Sequence, residues 1–239
     1  MQFTTNKRIS EICLYLKVMK LTAAIVGNGE FPRKDFPRYL LASADVVICC
    51  DGALGPYLRN MEKVFGRERL PDAVVGDMDS LGKNLRKRFS DRVIRIEEQE
   101  DNDQTKALKY LLGNYPGLET VHLLAATGKR EDHTIGNLSL MMEYGRTFNL
   151  RERGISIDMV SDYSTSFPVW DSCELHLGKG RRVSLFSPDN SLRIVSEGLE
   201  FPTDDVVFDN WWKATLNKAA DDVVKLSFSH PSMALVILD

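Results

Sequence analysis

The chain has 239 residues, of which 43% are hydrophobic, and its formal net charge is -3. This length allows one large domain or two modest ones, and the apolar fraction is that of an ordinary folded protein. A charge so close to zero excludes a broad basic surface for nucleic acid or an anionic membrane, so we expect neither as a partner. An anionic ligand would need a local group of Lys and Arg.

The cysteines and the first residues predict a cytoplasmic protein. No CxxC pair occurs among the four cysteines, which are Cys13, Cys49, Cys50 and Cys173. Three of them stand in apolar runs, where reduced cysteine behaves as a small hydrophobe. The apolar patch at 12–16 is too short to span a bilayer and carries no cleavage signature. We interpret residues 1–19 as an N-terminal extension ahead of the first strand.

Short β-branched apolar runs alternate with longer amphipathic segments in the first two thirds of the chain. The predicted strands are 23–26, 46–50, 73–75, 93–96, 121–125 and 155–160, and the predicted helices are 37–44, 54–64, 81–89, 103–112 and 133–148. Near-continuous apolar strands separated by helices are typical of a parallel sheet covered on both faces. We therefore predict an α/β domain at 20–163, with a Rossmann-like, mostly parallel sheet and helices on both faces.

The remaining residues, 164–239, have a different texture. Strand-like runs at 174–177, 182–186, 192–195, 223–228 and 233–238 are separated by Gly, Pro, Asn and Asp, without a long helix. Regular short strands with turn signals predict a smaller all-β sandwich domain. The charge run 83–88 in the first domain is interpreted as a solvated helix face.

The polar segments of the first domain follow its predicted strands, where ligands bind in open parallel sheets. Residues 27–30 have two glycines, which favours a tight turn over a dinucleotide fingerprint, although a phosphate could also approach there. Asp51 opens the next loop, where metal binding, ribose binding and helix capping are all open. Gly76 to Ser80 places Asp77 and Asp79 two apart, and on an extended segment both would face one Mg²⁺. A turn cap is the alternative.

Two further segments strengthen the prediction of metal and phosphate. Residues 98–103 carry four or more acidic groups that would repel one another unless a divalent cation neutralised them. Residues 125–138 combine Gly128 with Lys129 and Arg130 ahead of a helix, which suits polyphosphate without matching a Walker A loop. Asp132 is either a base or a helix cap, and we expect His133 to have at most a binding role.

These ordered motifs resemble the thiamine pyrophosphokinase family from Ala23 to about Asn137. The resemblance rests on the sequence DGA at Asp51, GDMDS at Gly76, an acidic stretch from Gln99 to Asp103 followed by TKAL, and ATGKREDHTIGNL from Ala126. It implies transfer of the pyrophosphoryl group of ATP to the hydroxyl of thiamine, giving thiamine diphosphate and AMP. It also implies a homodimer that binds thiamine between the α/β domain of one subunit and the sandwich of the other.

The resemblance also implies roles for individual residues. The implied catalytic residues are Asp77, Asp79, Asp103 and Arg130, and the implied Mg²⁺ ligands are Asp77, Asp79, Asp103 and Glu100. The implied ATP and phosphate contacts are Asp51, Gln99, Lys129, Arg130 and Asp132. The implied thiamine contacts are His133, Asn137, Thr215, Leu216 and Asn217.

The chain departs from the family pattern at several positions. Glu100 replaces an aspartate, Asn102 a threonine and Lys129 a glycine, while Leu216 replaces a serine that touches thiamine. A tryptophan expected near the carboxyl terminus is missing, and the Trp211–Trp212 pair is either a stacking face for thiazolium or ordinary packing. Two alternatives therefore stay open: a Mg²⁺-dependent pyrophosphokinase or phosphohydrolase for another small alcohol, and a non-catalytic nucleotide-binding sensor.

Overall fold

A computed structural model describes residues 20–239, so the predicted extension at 1–19 lies outside the described residues. The chain divides into two compact units. The first comprises residues 20–130 and 154–156, and the second comprises residues 131–153 and 157–239. The fifth predicted helix and most of the sixth predicted strand thus group with the second unit, whereas the sequence placed them in the first domain. The predicted domain boundary at 163/164 stays a prediction.

The first unit contains a parallel sheet of five strands in the order β5-β1-β2-β3-β4. The strands are β1 (Leu21–Val26), β2 (Val46–Cys50), β3 (Ala73–Gly76), β4 (Val93–Arg95) and β5 (Leu118–Leu124). All five residues of β2 and all four of β3 are buried, as expected for central strands covered on both faces. The predicted parallel α/β arrangement is therefore confirmed.

Four helices connect these strands: α1 (Asp35–Ser43), α2 (Leu54–Phe65), α3 (Lys83–Arg88) and α4 (Asp103–Asn114). Helix α2 ends at Gly66, whose φ of 66° places it in the left-handed region that glycine adopts without a Cβ clash. Helix α4 begins after Asn102, whose side-chain oxygen accepts the amide of Thr105 at 2.9 Å. Asn102 therefore caps the helix where the family pattern has a threonine, because Asn serves at least as well in that position.

The second unit contains helix α5 (Glu131–Thr147) and eight strands. They are β6 (Ser156–Val160), β7 (Thr165–Val169), β8 (Cys173–His176), β9 (Arg182–Phe186), β10 (Ile194–Glu197), β11 (Ala214–Lys218), β12 (Val223–Phe228) and β13 (Ala234–Leu238). One antiparallel set has the order β11-β9-β13-β7-β6, and a second sheet has the order β10-β12-β8. Strands β7 and β11 were not among the predicted strands.

The two sheets of the second unit enclose an apolar core. Buried and less buried residues alternate along β9 and β12, so one side chain in two reaches this core. Its largest buried members include Leu185, Leu192, Ile194, Phe208 and Leu226. The predicted all-β sandwich is thus confirmed, and helix α5 packs against β7 and β13 beside it.

A hydrogen-bonded cluster ties the loop after β9 to the start of β13. The Asp189 carboxylate accepts the Ser191 hydroxyl at 2.6 Å, the Ser232 hydroxyl at 2.7 Å and Nε2 of His230 at 3.0 Å. Several hydrogen bonds hold the pKa of Asp189 well below its usual value, and the bond from the Ser191 hydroxyl has the largest effect.

This cluster makes a pH-dependent contribution to stability. Because the pKa of Asp189 is lowered on folding, its contribution is present above the ordinary aspartate pKa of 3.8 and is lost as the pH falls. We expect Ser191→Ala to reduce the loss of unfolding free energy between about pH 5 and about pH 1.5, measured by urea denaturation at both pH values, because the variant differs from the wild type only near the lowered pKa. An unchanged loss in the variant would contradict the assignment.

In the part of the chain that the structure describes, no helix is long and apolar enough to cross a membrane. Cys49, Cys50 and Cys173 are free thiols, and the first two are buried in β2.

Candidate active site

Three carboxylates meet at one end of the parallel sheet. Asp51 directly follows β2, Asp77 directly follows β3, and Asp103 is the first residue of α4. Asp51 is 2% exposed, and its Oδ2 accepts the amide of Ser80 at 3.2 Å. Its Oδ1 accepts the amide of Gly52. Backbone amides therefore hold both oxygens of the buried Asp51 carboxylate.

Gly76 makes this convergence sterically possible. A Cβ at that position would lie 3.0 Å from Oδ1 of Asp103 and 3.0 Å from Cβ of Asp51, which is closer than ordinary van der Waals contact. Because it has no side chain, Gly76 lets the two neighbouring acidic side chains approach the backbone of β3.

The electrostatics of this cluster are unfavourable without a cation. Burial, followed by the negative charges of Asp51 and Asp77, raises the pKa of Asp103 from 3.8 to about 7. A hydrogen bond to Asp51 acts in the same direction, because a protonated Asp103 donates to its neighbour. Carboxylate oxygens are the hard ligands that Mg²⁺ prefers. A divalent cation such as Mg²⁺ would also offset the repulsion between these three carboxylates.

Among residues 20–239, no three His, Cys, Asp or Glu side chains are arranged as a finished metal site. Mg²⁺ does not need one, because it is usually held by one or two carboxylates and completes its coordination with water and phosphate oxygens. The cluster therefore fits Mg²⁺ that arrives with a polyphosphate better than an ion held by protein alone.

The GDMDS segment differs from its predicted conformation. Met78 has a φ of 72°, so residues 77–79 form a bend and not an extended segment whose side chains share one direction. The Asp77 carboxylate accepts the amide of Asp79 at 3.0 Å, and Asp79 itself is exposed. The extended conformation was wrong, because the left-handed residue turns the chain immediately after β3.

Lys106 is a charged residue of this site that the sequence reasoning did not single out. It is only 2% exposed although lysine is rarely buried, and it lies one helical turn after Asp103 on α4. Its positive charge opposes the rise in the pKa of Asp103. The TKAL sequence after the acidic stretch could have indicated Lys106, because a lysine three residues after an acid on a helix lies on the same face as that acid.

The glycine-rich loop after β1 is held by backbone hydrogen bonds. The amide of Gly27 donates to Leu124 at 2.8 Å, and the amide of Gly29 donates to Ala125 at 2.5 Å. These two amides are therefore engaged and do not face a phosphate, which agrees with the tight turn. Nζ of Lys129 donates to Oδ1 of Asn28 at 3.1 Å, so this cation is joined to the same loop.

The acidic stretch before α4 is mostly solvated. Gln99 and Glu100 are exposed, and Nε2 of Gln99 donates to the carbonyl of Glu97 at 3.2 Å. Asp101 forms an ion pair with Lys109. Asp103, at the end of this stretch, lies beside Gly76 and Asp51 and belongs to the acidic cluster. The metal-ligand role of Glu100 stays a prediction.

The remaining predicted residues of the phosphate-binding segment are divided between the two units. Arg130 is exposed at the end of the first unit, while Asp132, His133 and Asn137 belong to α5 in the second. Because α5 begins at Glu131, Asp132 lies in the first helical turn and not ahead of it, and its carboxylate accepts the amide of His133 at 2.8 Å. The role of Asp132 as a base or as a helix cap stays a prediction.

Strand β11 holds the three predicted thiamine contacts in different environments. Leu216 is 85% exposed with a left-handed φ of 59°, an unfavourable conformation for leucine. The hydroxyl of Thr215 donates to the carbonyl of Trp212 at 2.7 Å. Asn217 is buried, and its amide donates to the carbonyl of Phe201 at 2.6 Å while accepting the Phe201 amide at 3.1 Å. Asn217 therefore holds the neighbouring loop in place.

Two models of one known protein family match most of the chain. Residues 37–151 match the family model described as thiamin pyrophosphokinase, catalytic domain, and residues 165–233 match the one described as thiamin pyrophosphokinase, substrate-binding domain. The chain belongs to the thiamin pyrophosphokinase family. The acidic cluster lies within the catalytic-domain match, and β11 lies within the substrate-binding match.

Individual relatives agree with the family assignment. A protein named thiamine pyrophosphokinase 1 from Oryza sativa subsp. japonica is 29% identical over 173 residues, covering 65% of this chain and 62% of the relative. A protein of the same name from Arabidopsis thaliana is 30% identical over 141 residues, covering 52% of each chain. The chain thus matches less than two thirds of the length of these curated relatives.

Solved structures share the fold. Thiamin pyrophosphokinase from Candida albicans aligns with a TM-score of 0.74 at 13% identity, covering 94% of this chain and 90% of that one. Thiamine pyrophosphokinase from Bacillus subtilis aligns with a TM-score of 0.67 at 17% identity, covering 91% and 98% respectively. The α/β unit followed by a β-sandwich is therefore the family fold.

Proposed function

We propose that this chain is an ATP:thiamine diphosphotransferase that converts thiamine and ATP to thiamine diphosphate and AMP. The observation that carries the proposal is the convergence of Asp51, Asp77 and Asp103 at the carboxyl end of the sheet in a member of this family. An acidic cluster that needs a divalent cation is suited to polyphosphate chemistry, which depends mainly on alignment and charge neutralisation.

The proposed reaction forms one bond and breaks one. The hydroxyethyl oxygen of thiamine attacks the β-phosphorus of ATP, the bond from that phosphorus to the α,β-bridging oxygen breaks, and AMP leaves. The hydroxyl proton passes to solvent or to a nearby carboxylate. In this proposal Arg130 and Lys129 contact the phosphates, Gln99 contacts the nucleotide, and Asp132 helps to shape the phosphate-binding segment.

Asp77, Asp103 and Asp79 are the residues that would hold Mg²⁺, with the buried Asp51 hydrogen-bonded to Asp103 and Glu100 as a further candidate. Bound Mg²⁺ would neutralise the negative charge that polyphosphate brings to the cluster. The chain's own contribution is to keep the carboxylates converged and, through the buried Lys106, to limit their mutual repulsion. Asp103 must be ionised to bind the metal, so metal binding competes with its protonation.

The exposed apolar surface of the second unit supports a thiamine pocket and a homodimer. Phe201, Trp211, Trp212 and Leu216 are between 50% and 85% exposed, an unusual amount for such large apolar side chains. We propose that this surface contacts thiamine and a second copy of the chain, with His133, Asn137 and Thr215 as further thiamine contacts. Sedimentation at twice the chain mass of 27.0 kDa would support the dimer.

A product assay tests the function. Purified protein with ATP, Mg²⁺ and thiamine is expected to form thiamine diphosphate and AMP in equal amounts, quantified by chromatography. Formation of ADP would contradict pyrophosphoryl transfer, and AMP formation only with another alcohol would favour the alternative pyrophosphokinase. Nucleotide binding without turnover at any Mg²⁺ concentration would favour the sensor. The proposed cytoplasmic location is tested separately by cell fractionation.

Leu216 allows a sharp test of the thiamine pocket. We expect Leu216→Ser to lower the KM for thiamine by about 2- to 10-fold, because one added hydrogen bond contributes roughly 0.5–1.5 kcal/mol. Leu216→Gly is the matched control, since it removes the leucine side chain without adding a hydroxyl, and glycine accepts the left-handed φ. The same KM in the Ser and Gly variants would show that the hydroxyl contacts no thiamine.

A further inference from the structure

Helix α3 places three cations along one side of a surface cavity. Lys83, Arg86 and Lys87, together with Ser90 and Val93, line a cavity of about 420 Å³. The three cations have the i, i+3, i+4 spacing that puts side chains on the same face of a helix. This volume lies within the range of small-molecule sites.

Lys83, Arg86 and Lys87 are exposed, as expected for a solvated helix face, but the helix itself does not favour a positive charge at all three positions. Cations in the last turn, such as Arg86 and Lys87, gain from the helix dipole, but Lys83 is the first residue of α3, where the dipole disfavours a positive charge. Like charges at i and i+4 also repel. Among residues 20–239, none of these three cations has a carboxylate oxygen within ion-pair distance.

We propose that this cavity is a binding site for a small anion that carries a diphosphate group. Arginine presents a fork of donors that matches phosphate oxygens, the two lysines add charge, and the Ser90 hydroxyl is a further donor. The cavity of about 420 Å³ with its three cations suits a small polyanion, and the net charge of -3 does not predict a nucleic-acid surface.

The site is separate from the acidic cluster. Val93 is the first residue of β4 and pairs with Val74, whereas the cluster lies beyond Gly76 at the opposite end of β3. No residue of the cluster lines the cavity. The proposal therefore does not rest on the proposed transfer reaction and holds or fails independently of it.

The probe is inorganic pyrophosphate, titrated into the full chain by calorimetry in EDTA, so that no metal assists binding at the acidic cluster. We expect saturable binding with a dissociation constant below about 1 mM. Arg86→Glu/Lys87→Glu should weaken it at least tenfold. The matched control is Lys63→Glu/Arg67→Glu, which reverses two exposed cations at the end of α2 outside the cavity and should change affinity less than twofold.

Arg86→Gln/Lys87→Gln removes the charges without reversing them and replaces the first variant if α3 unfolds. It should weaken binding at least fivefold, and 0.5 M NaCl should weaken binding to the wild type through screening. Absence of saturable binding to the wild type would overturn the proposal. Equal binding by the wild type and both cavity variants would also overturn it, because the anion would then occupy another site.

Discussion

Asp103→Asn is expected to lower the rate of thiamine diphosphate formation by about 100-fold or more, while leaving the fold at least as stable as in the wild type. The activity falls because an amide is a weaker metal and charge ligand where Mg²⁺ and phosphate must be aligned. The stability does not fall because the substitution keeps the side-chain size and removes a charge that Asp51 and Asp77 repel.

The test is specific because the activity is expected to fall while the free energy of unfolding stays the same or rises. The measurements are a steady-state assay at saturating ATP and thiamine and urea denaturation of the metal-free protein. Asp91→Asn is the matched control, because Asp91 is an exposed aspartate in the turn before β4. It should leave both quantities near their wild-type values. Near-normal activity of Asp103→Asn would remove this carboxylate from the site, and a large loss of stability would assign it a structural role.

Gly145→Ala is expected to destabilise the second unit by about 1–3 kcal/mol, the usual cost of forcing extra volume into a packed site. A Cβ on Gly145 would overlap the indole ring of Trp170. That ring has little freedom to move, because its Nε1 donates to the carbonyl of Met142 at 3.1 Å in the same helix, α5. The measurement is the free energy of unfolding from urea denaturation followed by circular dichroism.

Gly136→Ala provides the matched control within α5. Apart from the two neighbouring residues and the backbone of its own helix, no heavy atom lies within 4 Å of a Cβ built at Gly136, so the added methyl group meets open space. Alanine favours helix over glycine by roughly 0.8–1.0 kcal/mol, and this variant should therefore be slightly more stable than the wild type. Equal effects of the two substitutions would contradict the proposed role of the Trp170 contact.

The sequence by itself determined the α/β unit and most of the sandwich. Apolar runs such as 46–50 and 73–75 coincide with β2 and β3, because a strand buried on both faces needs apolar residues at every position. Strands β7 and β11 escaped prediction, since the first contains Pro168 and the second has polar residues around the left-handed Leu216. Neither matches the alternation or apolar run that marks a strand.

Part of the candidate active site could likewise be predicted from the sequence, and part could not. The motifs around Asp51, Asp77 and Asp103 could be recognised in the sequence, because parallel strands bring successive carboxyl ends to one edge of a sheet. Only the tertiary structure decided which acids repel one another, and it selected Asp103 from an acidic stretch whose other members are largely solvated. The tertiary structure also decided the burial of Lys106 and the steric role of Gly76. Burial and distance arise from the packing of residues far apart in the chain, and no local pattern encodes them.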